Sequence, residues 1–235
     1  MKIALLSDIH GNMAALSAVL ADLGGERVDQ FICLGDIASG GPQPREVIAK
    51  LRELAVPIVM GNTDYRLMNQ GVPDNPSDHV RKLIDIEAWI RATVPAAELA
   101  PLAEAPLTLT LELDNGQRLL CCHGSPRSRD ERLVAGIQDE ELAPAFNGHE
   151  FDLLAAGHTH LTMLRYYHQS LVINPGTVGS PTLGLGPVAS YALLTTDGAN
   201  VSVDFRRVGY DITPAVQAAL SSGMPHGDWW ISSWR

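Results

Sequence analysis

Ser7-Asp8-Ile9-His10-Gly11-Asn12 stands between two segments of different periodicity. Before it, Lys2-Ile3-Ala4-Leu5-Leu6 is a short apolar run bounded by turn residues, which predicts a fully buried strand. After it, Ala15, Leu16, Val19, Leu20 and Leu23 recur at helical spacing, with Asn12 in position to cap the helix. The polar loop therefore ends a strand and opens a helix, where free backbone N–H groups gather. Asp8 and His10, two residues apart on such a loop, can point at one cation. Taken alone, that pair more often marks a capping aspartate and a hydrogen-bonded histidine. The rest of the chain decides between the two.

The same unit recurs. Asp29 to Leu34 reads as a second strand ending at Gly35-Asp36, and a glycine-rich turn, Ser39-Gly40-Gly41-Pro42, leads into an amphipathic helix from Pro44. Pro57-Ile58-Val59-Met60 reads as a third strand, ending at Gly61-Asn62-Thr63-Asp64. Such repeated strand–loop–helix units imply a parallel sheet whose functional loops gather at the carboxyl ends of the strands. The rhythm breaks between Tyr65 and Pro106, a proline-rich segment with a helical stretch from Leu83 to Val94. It reads as a cap-like insertion at about 65–106 beside the strand-end loops, or equally as a plain pair of connecting helices.

Beyond it, Leu107 to Leu113 alternates, Asp114-Asn115-Gly116 is a strong hairpin turn, and the strand Arg118 to Cys122 ends at His123-Gly124-Ser125-Pro126. A mostly helical stretch is expected from Leu133 to Phe146. A buried strand from Phe151 to Ala156 then ends at Gly157-His158-Thr159-His160. Two further hairpins, Met163–Tyr167 with Leu171–Asn174 and Ser190–Thr195 with Val201–Arg207, make the later sheet at least partly antiparallel. The expected architecture is α/β: two packed β-sheets, a β-sandwich, flanked by helices within one domain over residues 1–235.

Composition narrows the function. The 235 residues, 46% of them hydrophobic and 19% charged, are those of a soluble globular protein, with no apolar run long enough to cross a bilayer. The chain enters a strand at once, which reads as no cleavable leader and hence a cytoplasmic location. Three cysteines, Cys33, Cys121 and Cys122, lie in strand-like apolar runs and suit a reducing compartment and a structural role. A net charge of −10 argues against non-specific nucleic-acid binding, and nothing suggests a membrane partner. An anionic substrate would then need a local positive source, such as bound metal.

The strand-end residues supply one. Asp8, His10, Asp36, Asn62, His123, His158 and His160 are oxygen and nitrogen donors placed just after buried strands, too many for caps and core hydrogen bonds to explain. Two divalent ions sharing Asp36 would use them all. A mixed His and Asp set suits Mn, Fe, Zn, Ni or Co, with Mn favoured. Two ions roughly 3.5–4 Å apart can hold a bridging hydroxide as nucleophile and clamp both oxygens of an in-line phosphoryl displacement.

Ser7 to Asn12, Gly35-Asp36, Gly61 to Asp64, Cys122 to Pro126 and Gly157 to His160 resemble, in order and spacing, the five signature blocks of calcineurin-like metallophosphoesterases. Asn174 to Ser180 and Ser190 to Leu194 resemble the small bacterial and archaeal phosphodiesterase branch. The resemblance covers roughly residues 1–210. It implies a four-layer sandwich with Asp8, His10, Asp36 and His160 on one metal, and Asp36, Asn62, His123 and His158 on the other. It also implies a phosphodiesterase acting on a small phosphate ester. A phosphomonoesterase or protein phosphatase is one alternative, and a catalytically silent scaffolding protein another.

Two departures matter. Thr63 stands where the protein-phosphatase branch has the histidine thought to protonate the leaving group, and a hydroxyl is a poor general acid. Gly40 stands where that branch has a phosphate-gripping arginine. Asn62 and Asp64 are the candidate catalytic residues, Asn62 to seat a phosphoryl oxygen and Asp64 to orient a neighbour or cap the following helix. His79, His149, His168 and His226 lie outside the blocks and read as solvated. The tail at about 211–235 ends Asp228-Trp229-Trp230-Ile231-Ser232-Ser233-Trp234-Arg235. Its tryptophans are expected to pack on the domain, beside the cleft, or on a second copy of the chain in a homo-oligomer.

Overall fold

A computed structural model describes residues 1–182 and 184–234, so the last residue of the tail, Arg235, lies outside the described residues. The first half runs β1 (Lys2–Leu6), α1 (Met13–Asp22), β2 (Gln30–Cys33), α2 (Pro44–Glu53), α3 (Asn62–Asn69), α4 (Asp78–Thr93) and α5 (Ala96–Ala103). The second half runs β3 (Thr108–Glu112), β4 (Arg118–Cys122), α6 (Asp139–Phe146), β5 (Leu153–Ala155), β6 (Met163–Tyr167), β7 (Ser170–Asn174), β8 (Val188–Asp197), β9 (Asn200–Gly209), α7 (Thr213–Ser221) and α8 (Gly227–Ser232).

The strands form two mixed sheets, ordered β2-β1-β8-β9 and β3-β4-β5-β7-β6. Strand alternation divides their side chains among three apolar layers. Ile3 and Leu5 of β1 meet Leu119 and Cys121 of β4 between the sheets. Ala4 and Leu6 face the other way, onto α1, α2 and the C-terminal helices. Leu120 and Cys122 face α6 on the far side. The result is helix, sheet, sheet, helix. All three cysteines are buried and free, and burial pushes their thiols well above the ordinary range, which keeps them neutral.

Four expectations change. Pro57–Met60 is a single parallel bridge at Ile58 rather than a strand, because Met60 N–H donates to Pro106 O and draws the chain off the sheet. α3 starts at Asn62 itself, so Asn62 is the first residue of a helix and not part of a free loop. α4 starts at Asp78, capped by Ser77, a turn or more before Leu83; its polar first turn hides the apolar period. Leu133 to Phe146 is helical only from Asp139, since Arg165 takes the carbonyls of Ala135 and Ile137.

The segment read as a cap is also a wall of the core. Leu67 of α3, Ile86 and Ile90 of α4, and Leu99 and Leu102 of α5 are buried in the same layer as α1 and α2. The tail joins that layer through Trp230, with Trp229 and Trp234 packed against it. Ile90→Ala should therefore cost about 2–5 kcal/mol, the usual range for emptying a filled core site. Tyr166→Ala, on an exposed position, should stay within about 0.5 kcal/mol. Urea denaturation with matched slopes checks both; a loss at Ile90 no larger than at Tyr166 would make the segment an independent unit.

Candidate metal centre

Parallel pairing brings the carboxyl ends of β1 and β2 together in one sheet and those of β4 and β5 together in the other. Asp8 and His10 follow β1, Asp36 follows β2, His123 follows β4, and His158 and His160 follow β5. Asn62 enters from the first turn of α3. Backbone bonds continue across the loops: Asp8 N–H donates to Gly35 O, His10 N–H to Asp36 O, and Gly157 N–H to His123 O.

These loops are strained. Asp8, His10, Asp36, His158 and His160 have φ of 55°, 48°, 54°, 66° and 61°, half of the ten non-glycine residues in the left-handed region among those described. Each costs about 1–2 kcal/mol, so the surroundings must hold it. A strap from Asn174 to Gly179 does so: Thr177 Oγ1 and Gly179 N–H both donate to Asp8 O, and Asn174 Nδ2 donates to Gly157 O at 2.6 Å. Glycines permit the close fit. A Cβ on Gly61 would lie 2.0 Å from Asp36 Oδ1, and one on Gly157 would lie 1.9 Å from Ser7 Oγ.

Two compact donor groups result, Asp8 with His10 and His160, and Asp8 with Asp36 and His123. Asp8 is common to both, and Asp36 of the second group reaches toward the first: its Oδ1 is 3.4 Å from His123 Nε2 and its Oδ2 is 3.7 Å from His10 Nε2. Asn62 Oδ1 lies 3.0 Å from His123 Nε2. His158 is beside His123, ring centroids 5.2 Å apart, but falls in neither compact group.

The histidines are aimed from behind. His123 Nδ1–H donates to Leu34 O and His10 Nδ1–H to Ser39 O, both at 2.7 Å, so each turns Nε2 inward. His158 does the reverse, donating Nε2–H to Asp130 O and leaving Nδ1 free. Ser39 Oγ in turn donates to buried Glu87 of α4, whose carboxylate also takes Arg66 at 2.6 Å. This brace, like the strap, was invisible in the sequence; its one signal was a charged residue, Glu87, on the buried face of a helix.

The donors fit a cation. Asp8 Oδ1 is buried and accepts no hydrogen bond, although His160 Nε2 lies 3.1 Å away. His10 Nε2 and His160 Nε2 face each other at 3.2 Å. Such an orphaned carboxylate oxygen among inward-facing imidazole nitrogens is a donor set lacking its acceptor. Burial by itself would raise the two aspartates, but the facing histidines hold both carboxyls well below the usual range. Burial would likewise lower the histidines; instead the facing Asp8 and Asp36 carboxylates push His10 up to about 9, and Asp36 pushes His123 up to about 10. Asp64 is different. Buried, it accepts from the N–H groups of Ile37, Ala38 and Gly61, which makes it a brace for the Asp36 loop and the helix cap; burial and the Asp36 charge push it up to about 6.

A sequence profile described as the calcineurin-like phosphoesterase superfamily domain matches residues 1–199. The chain belongs to the calcineurin-like phosphoesterase superfamily. The family is metal-dependent and hydrolyses phosphate esters. A crystal structure of a metallophosphoesterase from Sphaerobacter thermophilus superposes with a TM-score of 0.77 at 29% identity, covering 100% of this chain and 98% of that one. An uncharacterized protein of Methanocaldococcus jannaschii is 29% identical over 95% of this chain and 93% of its own. The phosphodiesterase YfcE of Escherichia coli is 27% identical over 86% of this chain and 91% of its own. No helix among the described residues is long and apolar enough to cross a membrane.

Metal uptake should displace the ring protons of His10 and His123. At pH 7 titration calorimetry in buffers of different ionisation heat should record proton release, and affinity should rise as pH climbs from 6.5 toward about 9. The sign for the metal-free fold is opposite: raised histidine pKa values stabilise it fully below 6.5, and that contribution fades as pH passes about 9 to 10. Proton-neutral uptake at pH 7 would contradict this charge arrangement.

Proposed function

We propose that the chain is a phosphodiesterase that works with two divalent ions and acts on a small phosphate-ester substrate. The observation that carries the reading is Asp36, with one carboxylate oxygen toward His10 and the other toward His123. Asp8, His10, Asp36 and His160 would hold one ion, and Asp36, Asn62, His123 and His158 the other. The nitrogen and oxygen donors suit Mn, Fe, Zn, Ni or Co, with Mn favoured. Divalent ions there would supply Lewis acidity toward a phosphoryl oxygen and an acidified water for attack on phosphorus.

The chain's own residues set the rest. Asn62 lies at the amino end of α3, where the helix dipole and its amide favour a phosphoryl oxygen. Leu34 O, Ser39 O and Asp130 O keep the imidazoles from turning. Thr63 has a buried hydroxyl with no partner and donates its backbone N–H to Asp36 Oδ1, so it supports the bridge and supplies no acid. Gly40 has φ of 108°, and a Cβ there would lie 3.2 Å from His10 Nδ1, so the backbone itself is shaped against an arginine. A monoester dianion would lack that cation, and an alkoxide leaving group would lack a proton donor. A diester carries one charge and an aryl leaving group needs no acid. The relative named a phosphodiesterase supports the same choice.

Two measurements test the reading. Metal analysis of the reconstituted protein should find two ions per chain; Asp36→Asn should lose both, and His160→Ala mainly one. A single ion in fully reconstituted wild type would end the dinuclear reading. Matched aryl substrates at one pH and one metal should give a higher kcat/KM for the diester than the monoester, and Thr63→His should help alkyl leaving groups more than aryl ones. A monoester preference would turn the assignment to a phosphatase.

A further inference from the structure

A cavity of about 380 Å³ opens off the metal-site histidines. His10, His160, Leu83, Pro181 and Trp229 are among the residues that line it. Its volume lies in the range of small-molecule sites, about 300–1,000 Å³. Gly40 is part of the same lining, so the position that carries no side chain leaves the passage to His10 open. A second cavity of about 380 Å³, between α2 and α5, touches none of the metal-site residues.

The lining decides what can enter. Among the described residues it contains no carboxylate, lysine or arginine. A second phosphate or another anionic substituent would find no lysine or arginine in that lining to pair with, since Lys82 beside Trp229 is paired with Asp78, and it would lose its hydration. Trp229 offers an indole at a fixed angle. The His79 ring meets it edge-on with centroids 5.4 Å apart, and Lys82 Nζ sits 5.4 Å from its centroid. Its neighbour Trp230 is anchored in the core at 5% exposure, and His226 just before α8 bonds Asp85 of α4 at 2.7 Å. Both walls are therefore set before any ligand arrives, which lowers the cost of ordering on binding. His79, though exposed as the sequence reading expects, also lines the cavity; His226 is exposed and lies outside the lining.

We propose that this cavity is the subsite for one uncharged ester group of the diester, that it selects a flat aromatic or heteroaromatic ring, and that Trp229 is its specificity-determining residue. The inference rests on the phosphodiesterase reading above for the position of the phosphoryl group.

The test uses the metal-loaded full chain and two inert monoanions, the monomethyl esters of phenylphosphonic and methylphosphonic acid, measured by titration calorimetry. The phenyl compound should bind wild type tighter by about tenfold or more, as expected for stacking one ring on an aromatic side chain. Trp229→Ala should abolish that advantage at unchanged metal content, and Trp229→Phe should retain most of it. Leu83→Gln, on a different helix, should also reduce it, which covers the case that α8 is disturbed by the alanine. Equal binding of the two esters by wild type, binding of neither, or an advantage that survives in both Trp229→Ala and Leu83→Gln would overturn the subsite. Ring-selective binding without hydrolysis of any aryl diester would instead overturn the phosphodiesterase reading and leave the subsite standing.

Discussion

Burial of two carboxylates at the rim of a β-sandwich is the constraint around which this structure is arranged. Asp8 and Asp36 are almost wholly removed from solvent, and one oxygen of Asp8 accepts no hydrogen bond. Buried charge without compensation is far more costly than a lost hydrogen bond. Three histidines, His10, His123 and His160, face the pair, so the compensation has to come from protons on imidazole or from cations held between the side chains. Protons serve the first purpose only. The unfilled acceptor capacity, with imidazole nitrogens turned inward by carbonyls behind them, suits divalent metal and explains why the aspartates are tolerated at all.

Holding that arrangement takes much of the surrounding architecture. Parallel pairing puts the strand ends side by side, and the loops after β1, β2 and β5 turn so sharply that their aspartates and histidines are left-handed. The strain is offset by the Asn174–Gly179 strap beneath Asp8 and by the brace from Glu87 through Ser39 to His10. Glycines at 61 and 157 bring neighbouring loops closer than a Cβ allows. The same helix α4 that carries Glu87 contributes Ile86 and Ile90 to the core and Leu83 to the cavity wall. Folding, ligand orientation and the shape of the cleft thus meet on one element, and the segment is a layer of the domain as well as a neighbour of the site.

The departures at positions 40 and 63 are built into the backbone. Position 40 is left-handed and faces the His10 ring, while Thr63 is buried with its amide on Asp36. A side chain at position 40 would press on the His10 ring. The cavity beside them is lined by Trp229, Leu83 and Pro181 together with His10, His79 and His160, so under the proposed subsite charge would be recognised at the strand ends and shape at the two helices beside them.

Periodicity and turn chemistry made most of the fold legible. Strand runs, the Asn12 cap, the Pro44 helix start and three hairpins are local consequences of side-chain size, φ restriction and hydrogen-bonding groups. The donors were legible because Asp and His directly after apolar runs have few structural explanations, and their blocks match a known family in order and spacing. Residues 57–60 and 133–138 read less well, since a carbonyl at Pro106 and a guanidinium at Arg165, both distant in sequence, decide those conformations. The strap at Thr177 was hidden for the same reason: its side chain meets a backbone group many residues away. Which donors exist was therefore written in the chain. Which of them come within reach of one another, that Asp8 keeps an unpaired oxygen, and that Trp229 stands beside His10 and His160 were decided only when two sheets packed and the terminal helix closed against α4, because those are contacts between parts of the chain that no local pattern connects.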